Sequence, residues 1–304
     1  MAFSGPDFKA TFDKQSGLLT SYLYKKHEYI LNGQGPRPFF WRAPTDNDYG
    51  ANLPVRLKAW KEASYQEPKA ESFQVTPGSN ATTVKVTYRF PQTEARWNIT
   101  YKIYASGVIK VDNRFMAEGD QAPMIPRVGL RMQLPESFTD LTYYGRGPKE
   151  NYRDRRTSQF IGEYAIPVKD MYEPYVRPQE NNHRTDIYWC ALTDKTQRGL
   201  LLIADRTFEL NASNYPLESM DSGDTIDNGA PRTEKTHHRH LTDPLPEKMV
   251  DLFIDYRMMG VGGDDSWGAT AHEPYLIRPG KENAIEYGFS LVPVSYAHLT
   301  LPTS

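Results

Sequence analysis

The chain of 304 residues has a single cysteine, Cys190, which excludes an internal disulfide. No run of about 18 apolar residues occurs, so no transmembrane helix is predicted. The net charge is only −2, which gives no electrostatic reason to expect binding to nucleic acid or to an anionic membrane. Because Cys190 lies in the apolar segment 188–192, we interpret it as an inert core thiol.

Aromatic residues, proline and glycine are plentiful by comparison. Aromatics make up 12% of the chain, including 20 Tyr, and there are 23 Pro and 21 Gly. This composition is typical of many strands joined by turns, and also of surfaces that contact saccharides. We find no internal repeat and no low-complexity linker.

Alternating apolar residues indicate strands with one buried face over residues 84–90, 97–103, 128–134 and 285–291. Residues 199–204 form a continuous apolar run, expected of a strand covered on both faces. One short helix is predicted over residues 55–64, with Pro54 in its first turn. The pattern predicts an all-β fold, one large antiparallel sandwich of two packed sheets.

A loop rich in glycine and acid follows a predicted half-buried strand over Met249–Met258. It reads Gly-Val-Gly-Gly-Asp-Asp-Ser-Trp-Gly (260–268), and its glycines are free to adopt positive φ. Such a loop can hold the indole of Trp267 outside the core, where it would stack on a sugar ring or a base. The alternative is that Trp267 folds back and plugs one end of the sandwich.

Six segments, in order, resemble signatures of the C-terminal β-sandwich of the large β-galactosidases of glycoside hydrolase family 2. They are Phe-Phe-Trp-Arg-Ala-Pro-Thr-Asp-Asn-Asp-Tyr-Gly (39–50), Gly-Arg-Gly-Pro-Lys-Glu-Asn-Tyr (145–152), Asp-Met-Tyr-Glu-Pro-Tyr-Val (170–176), Gln-Glu-Asn (179–181), Thr-His-His-Arg-His (236–240) and Gly-Gly-Asp-Asp-Ser-Trp (262–267). The resemblance covers roughly residues 8–293. It implies a supersandwich of many strands, similar in fold to galactose mutarotases.

The resemblance also implies that catalysis takes place outside this chain. Related enzymes carry an acid/base Glu and a nucleophilic Glu on a (β/α)8 barrel, which needs about 250 residues of its own. We therefore expect no catalytic residue here, and no hydrolysis of lactose by this chain alone. We also expect no bound cofactor or metal, because the magnesium and sodium ligands of the family lie mainly on the barrel.

Two positions inherit a binding role from the resemblance. The Trp of the matching loop reaches the mouth of the active site, which implies that Trp267 binds the acceptor or leaving-group sugar. The segment ending at Gly50 also approaches that site in the family. Beyond Gly50 the chain departs from the family pattern at residues 51–53, so only the glycine itself is carried over.

The histidine and acidic segments suggest two further kinds of site. If the segment of His237, His238 and His240 is a strand, it presents two possible ligands on one face. We favour structural hydrogen bonding by these histidines over a zinc site or sugar mutarotation. The acidic segments 46–48 and 264–265 lack the spacing of a calcium loop. We interpret these acids as acceptors for nearby backbone amides.

We expect a sandwich domain over residues 1–294 and an unassigned tail over residues 295–304, with an exposed loop over residues 217–234. Expected partners are a galactoside or acceptor sugar, the remaining domains of the enzyme and further copies of it. The resemblance indicates a chain cut from a longer polypeptide, and we favour the cytoplasm over the periplasm for it. A free-standing carbohydrate-binding or mutarotase-like module is the alternative, and a structural oligomerisation domain is a third.

Overall fold

The computed structural model describes residues 1–119, 123–223, 240–265, 268–280 and 283–294. Trp267, His237 and His238 lie outside these ranges, as does the expected tail 295–304. Within the described part of the chain, no helix is long and apolar enough to cross a membrane.

The described residues form sixteen strands and three short α-helices. The strands are β1 (Ala2–Ser4), β2 (Phe8–Phe12), β3 (Leu19–Tyr24), β4 (His27–Glu28), β5 (Arg37–Phe39), β6 (Ala70–Thr76), β7 (Ala81–Phe90), β8 (Ala95–Tyr104), β9 (Ile109–Ala117), β10 (Arg127–Pro135), β11 (Asp140–Gly147), β12 (Phe160–Pro167), β13 (Arg184–Thr193), β14 (Gly199–Ser213), β15 (Met249–Met258) and β16 (Ile285–Val294). The helices are α1 (Asp46–Gly50), α2 (Leu53–Arg56) and α3 (Lys58–Tyr65). The strand pairs are antiparallel, so the prediction of an all-β antiparallel sandwich is confirmed.

One long strand, β14, joins the two layers of the sandwich. Residues 199–204 pair with β16, in a row of strands that runs β12-β11-β13-β14-β16-β9-β8-β7-β6. Residues 209–213 pair with β15, which continues through β10 to β5. A separate four-stranded sheet is formed by β1, β2, β3 and β4 in that order. Gly17, in the turn between β2 and β3, has φ +75°, a conformation that glycine adopts readily.

Aromatic rings fill the space between the layers. Phe40, directly after β5, contacts Phe90, Trp97 and Phe115 at centroid distances of 5.0, 5.5 and 5.6 Å, and Trp60 of α3 at 4.9 Å. All five side chains are buried. The apolar faces predicted for β7, β8 and β10 point into this core. Phe40 therefore anchors the segment that leads to α1.

Cys190 is fully buried on β13, and burial raises the pKa of its thiol, so the prediction of an inert core thiol is supported.

The strand β15 departs from its prediction. It is buried on both faces, including Asp251 and Asp255, because arginines of β10 pair with both carboxylates. The strand β14 is less buried than predicted. Ile203 is 41% exposed, so the apolar run 199–204 is not covered on both faces at its end.

The helical prediction was also incomplete. Pro54 lies in the first turn of α2 as predicted, but the expected helix 55–64 is divided at Leu57 into α2 and α3. A further helix, α1, replaces the expected acidic loop. In the expected loop 217–234, Leu217–Met220 form a 3-10 helix with Leu217 and Met220 buried against the core.

Candidate functional site: the loop edge

The two segments predicted to bind sugar meet at one edge of the sandwich. We define the loop edge as α1, the turn 152–155 and the described parts of residues 259–272. Gly50 ends α1 and is half-buried, and its carbonyl oxygen lies 3.7 Å from the position that a Cβ atom on Gly268 would occupy. Trp267 itself falls in the undescribed gap between Asp265 and Gly268. The residues on either side of it, 259–265 and 268–272, form the two stems of the loop.

Arg42 holds the first stem of this loop. Its Nη1 and Nη2 atoms donate to the carbonyl oxygens of Met259 and Gly260 at 2.7 and 3.0 Å. Its Nε and Nη2 atoms donate to the two carboxylate oxygens of Asp48 at 2.9 and 2.7 Å. Burial opposes the charge on Arg42, but the pairing with Asp48 outweighs it and raises the pKa. The guanidinium thus fixes the loop stem to α1 as a permanent cation.

Helix α1 forms because its N-terminus is capped from both sides. The Thr45 hydroxyl accepts from Asp48 N at 3.2 Å, and Asp48 Oδ2 accepts from Thr45 N at 3.0 Å. This reciprocal pair is a capping box, and its Thr-x-x-acid spacing was present in the sequence. It agrees with the interpretation that acids of this segment hydrogen-bond backbone amides.

Asp154 holds the next residues of the loop. Its Oδ1 and Oδ2 atoms accept hydrogen bonds from Val261 N and Gly262 N at 3.1 and 2.7 Å. The carbonyl of Val261 accepts from Asn47 Nδ2 of α1 at 3.2 Å. A Cβ on Gly260 would lie 2.5 Å from Asp154 Oδ2, and one on Gly262 would lie 3.1 Å away. Gly260 and Gly262 do not use their freedom to adopt positive φ; the absence of a side chain instead allows Asp154 to approach closely.

The acids of the loop close its tip. Asp265 Oδ1 accepts from Gly268 N at 3.1 Å and from Ala269 N at 3.2 Å, so this carboxylate links the two described sides of the loop. Asp264 Oδ1 lies 2.8 Å from His272 Nε2 on the exposed surface. The interpretation that these acids accept from nearby backbone amides is thus supported for Asp265, whereas Asp264 contacts the side chain of His272. Groups of three or more His, Cys, Asp or Glu side chains suited to a metal ion do not occur in the described ranges.

A buried polar network lies behind the first stem. His183 places Nε2 2.9 Å from Glu209 Oε2 and Nδ1 2.6 Å from Asn211 Oδ1. Glu209 also accepts from Met258 N at 2.7 Å and from Arg153 Nε at 2.5 Å. Burial alone would raise the pKa of Glu209, but the bond from His183 and the nearby positive charges lower it. The ionised Glu209 therefore fixes the end of β15 just before the loop.

A second buried group centres on Arg127. Its Nη2 donates to Glu180 Oε1 at 3.0 Å and to Asn211 Oδ1 at 3.2 Å, and its Nε lies 3.3 Å from Asp255 Oδ2. Burial raises the pKa of Asp255 to about 7, because Arg127 and His183 only partly offset the loss of water. This carboxyl can therefore change its protonation near neutral pH without leaving the core.

The histidine motif is only partly described. His240 is exposed in a bend, where its backbone N donates to Asp243 Oδ2 at 2.9 Å. The assumption that it lies on a strand is therefore wrong. The buried histidine of the described chain is His183, which the sequence reasoning missed. Its only advance signal was its position two residues after the segment 179–181.

Three carboxylates of the loop edge stabilise its local structure. Asp48 is taken by Arg42 and a backbone amide, Asp154 by two amides and Asp265 by two more. None of these three is free to act as the acid or nucleophile of a glycosidase. The arrangement instead fixes residues 259–262 of the loop against Arg42, α1 and the turn 152–155.

This architecture defines a galactose-mutarotase-like β-sandwich. The crystal structure of galactose 1-epimerase from Lactobacillus acidophilus NCFM is similar over 97% of this chain and 93% of that chain, with a TM-score of 0.51. The sequence identity is 5%, so the likeness is one of fold alone.

The sequence comparisons then give the family. The family model described as beta galactosidase small chain matches residues 4–291, and the chain belongs to this family. The β-galactosidase of Priestia megaterium (strain DSM 319 / IMG 1521) is 34% identical over 91% of this chain and 25% of its own length. That of Lactobacillus delbrueckii subsp. bulgaricus is 32% identical over 91% of this chain and 26% of its own length. The chain thus spans about a quarter of the curated relatives it matches.

Proposed function

We propose that this chain is the C-terminal sandwich of a family 2 β-galactosidase and supplies a sugar-binding loop to an active site built on another part of the polypeptide. The substrates are β-galactosides such as lactose. Membership of the small-chain family supports this function, together with the relatives named β-galactosidase. The main structural support is the clamped loop edge, where Arg42 binds the carbonyl of Met259 and Asp154 binds the amide of Gly262.

Retaining hydrolysis needs two carboxyl groups about 5–5.5 Å apart, one as nucleophile and one as acid and base. Among the loop-edge carboxylates, Asp48, Asp154 and Asp265 are engaged by a guanidinium or by backbone amides, and Asp46 and Asp264 are paired with Arg177 and His272. We therefore assign the reacting pair to the missing part of the enzyme. This chain contributes binding and orientation, which accelerate a reaction by holding the sugar in a productive position.

The proposed role of Trp267 is to stack on the sugar in the acceptor position. An indole face packs well against the C–H face of a hexose, with a free energy on the order of 1 kcal/mol beyond its buried area. A loop that is already fixed loses little conformational entropy when the sugar arrives. Glucose released from lactose would thus stay long enough to compete with water for the glycosyl-enzyme. Gly50 would border the same surface.

Metal ions of the parent enzyme, magnesium and sodium, are proposed to bind outside this chain. A hard cation takes six or more oxygen ligands. Asp48 does not fit such a site, since both of its carboxylate oxygens are bonded to Arg42 and one also accepts from Thr45 N. We therefore assign no catalytic role to a metal ion on this chain.

The test compares three purified samples in an assay with a chromogenic β-galactoside. They are the complete enzyme, the enzyme lacking this chain, and this chain alone. We expect hydrolysis by the complete enzyme, no turnover by the chain alone, and partial recovery when the chain is added to the remainder. Turnover by the chain alone that vanished on mutating one of its own carboxylates would overturn the proposal. Interconversion of galactose anomers by the chain alone, followed by polarimetry, would favour the free-standing module.

A further inference from the structure

A large cleft lies away from the loop edge tip, on the outer side of the layer that contains β7, β8, β9 and β16. Its volume is about 1080 Å³, and β14, the end of β15 and residues 276–278 complete its walls. Small-molecule sites in proteins commonly measure about 300–1,000 Å³. The cleft is therefore large enough for a ligand of several rings.

Positive charge predominates in this basic cleft. Its cationic lining residues are Lys85, Arg114, Arg153, Arg206, Arg257 and Arg278. Its acidic lining residues are Asp112, Asp186, Asp205 and Glu286. The chain as a whole carries a net charge of −2, so this excess is local. A concave surface with a local excess of positive charge attracts ligands of the opposite sign.

The acidic side chains do not neutralise the excess. Asp112 and Asp205 are both paired with Lys110, and Asp186 is paired with Arg146 and Arg156. These three cations are additional to those that line the cleft. The fourth acid, Glu286, is paired with Arg114 at 2.9 Å.

Three lining cations remain without an ion pair to any residue the structure describes: Lys85, Arg206 and Arg257. Lys85 and Arg206 are exposed. Arg257 lies over the Tyr256 ring, 5.3 Å from its centroid, and its Nε has no hydrogen-bond partner. The cleft thus offers charged donors, while its charged acceptors are already engaged.

Neutral hydrogen-bonding side chains lie among these cations, including Asn98, Thr100, Thr207 and Asn283. A ligand suited to this lining needs oxyanions for the cations and hydroxyl groups for the amides and hydroxyls. Free phosphate supplies only the first and fills a small part of the volume. We propose that the basic cleft binds an acidic saccharide, a short sugar chain that carries carboxylate groups.

Residues that flank the loop carrying Trp267 line the same cleft on both sides of the loop. Arg153 lines the cleft, and the adjacent Asp154 binds the loop amides. Arg257 precedes the stem held by Arg42, and Arg278 follows the loop. A bound saccharide would therefore contact Arg153, Arg257 and Arg278, which are close in sequence to the clamped loop but are not the side chains that clamp it.

Isothermal titration calorimetry tests the proposal on the purified protein, both as this chain and within the complete enzyme. The probes are tri-galacturonate, its methyl ester, which keeps the rings and linkages but removes the charge, and inorganic phosphate. We expect tri-galacturonate to bind and both other probes to bind at least tenfold more weakly. Affinity should fall as sodium chloride is raised, because the contacts are charged.

Variants locate the binding. Lys85→Gln and Arg206→Gln change exposed side chains, so they should fold normally, and each should weaken tri-galacturonate binding several-fold. Arg257→Gln should weaken it at least tenfold. Lys58→Gln on α3 removes an exposed lysine outside the cleft and is the matched control. Equal binding of the methyl ester, equal binding of phosphate, no binding of tri-galacturonate, or equal losses in the control would each overturn the proposal. Because no galactoside hydrolysis is measured, this test is independent of the proposed enzyme function.

Discussion

The carboxylate of Asp154 binds the backbone amide of Gly262 at 2.7 Å across 108 residues of sequence. The same carboxylate binds the amide of Val261 at 3.1 Å. One short side chain in the turn after β11 therefore sets the path of the loop that follows β15. The tryptophan predicted to bind sugar is carried five residues further along this path.

Asp154→Ala should loosen the loop locally without unfolding the sandwich. A hydrogen bond to a charged acceptor contributes about 1.5–3 kcal/mol. The amides of Val261 and Gly262 should therefore exchange with solvent at least tenfold faster in the variant. Hydrogen exchange measured by NMR checks this, with the Gly260 amide, bonded to Tyr275 O at 2.8 Å, as an internal control. Asp154→Asn keeps one acceptor and should give an intermediate result. Unchanged exchange at all three amides would contradict the clamp.

Arg42→Leu should destabilise the whole domain. It leaves Asp48 buried without its partner and the carbonyls of Met259 and Gly260 without donors. Breaking a buried ion pair from one side costs about 3–5 kcal/mol. Urea unfolding followed by circular dichroism measures the free energy of unfolding directly. The comparison variant is Lys58→Gln, whose exposed pair with Glu62 should contribute less than about 1 kcal/mol. A loss below about 1 kcal/mol in Arg42→Leu would contradict the assigned role.

Asp255 should make the stability depend on pH near neutrality. Its pKa is raised from 3.8 to about 7 in the folded protein, first by burial and then by Glu209 and Glu180, against the opposing effects of Arg127 and His183. The folded state therefore binds a proton that the unfolded state has lost, and this stabilisation declines as pH rises through 7. From pH 6 to pH 8 the group should withdraw about 1.4 kcal/mol.

Asp255→Asn tests this contribution, because an amide does not titrate. The difference in unfolding free energy between the wild type and the variant should change by about 1.4 kcal/mol between pH 6 and pH 8. Other titrating groups are common to both proteins and cancel in this difference. Parallel pH curves would show that Asp255 stays in one protonation state over this range.

Trp267→Ala in the complete enzyme should weaken acceptor binding by about 1–2 kcal/mol, roughly tenfold or somewhat more. Hydrolysis of an activated aryl galactoside should suffer less, since the proposed carboxylate pair is intact and the aglycone leaves readily. Transfer to added glucose should fall most, because it depends on acceptor occupancy in competition with water. Product analysis of hydrolysis and transfer in one reaction gives both values. Equal losses would mean that Trp267 supports the architecture of the site.

The sequence predicted much of the fold because strands with one buried face have a period of two residues. Val84, Val86 and Tyr88 are buried as their alternation requires. The same rule failed for β15, where Asp251 and Asp255 resemble outward-facing polar residues. Their burial depends on Arg131 and Arg127, more than 100 positions earlier, and a local pattern carries no information about such pairing.

The site was predictable only in outline. The segments around Gly50 and the glycine-rich loop, both predicted to approach the active site, lie close together at Gly50 and Gly268, while their binding role stays a prediction. The residues that hold them there were not foreseen. Asp154 lies two residues after the recognised segment 145–152 but gave no signal of its own, because its partners are backbone amides of a distant loop. The Thr-x-x-Asp spacing of Thr45 and Asp48 is a local signal that predicts the start of α1.

The shared strand β14 also governs how the domain can come apart. Its first six residues are bonded to one layer and its last five to the other, while β13 runs beside both parts. A pulling force on either layer is therefore carried through the same backbone to the other. The layers cannot shear past one another as two separate sheets could. The continuous strand therefore keeps the end of β15, where the described part of the loop begins, at a constant position relative to the other layer when force is applied.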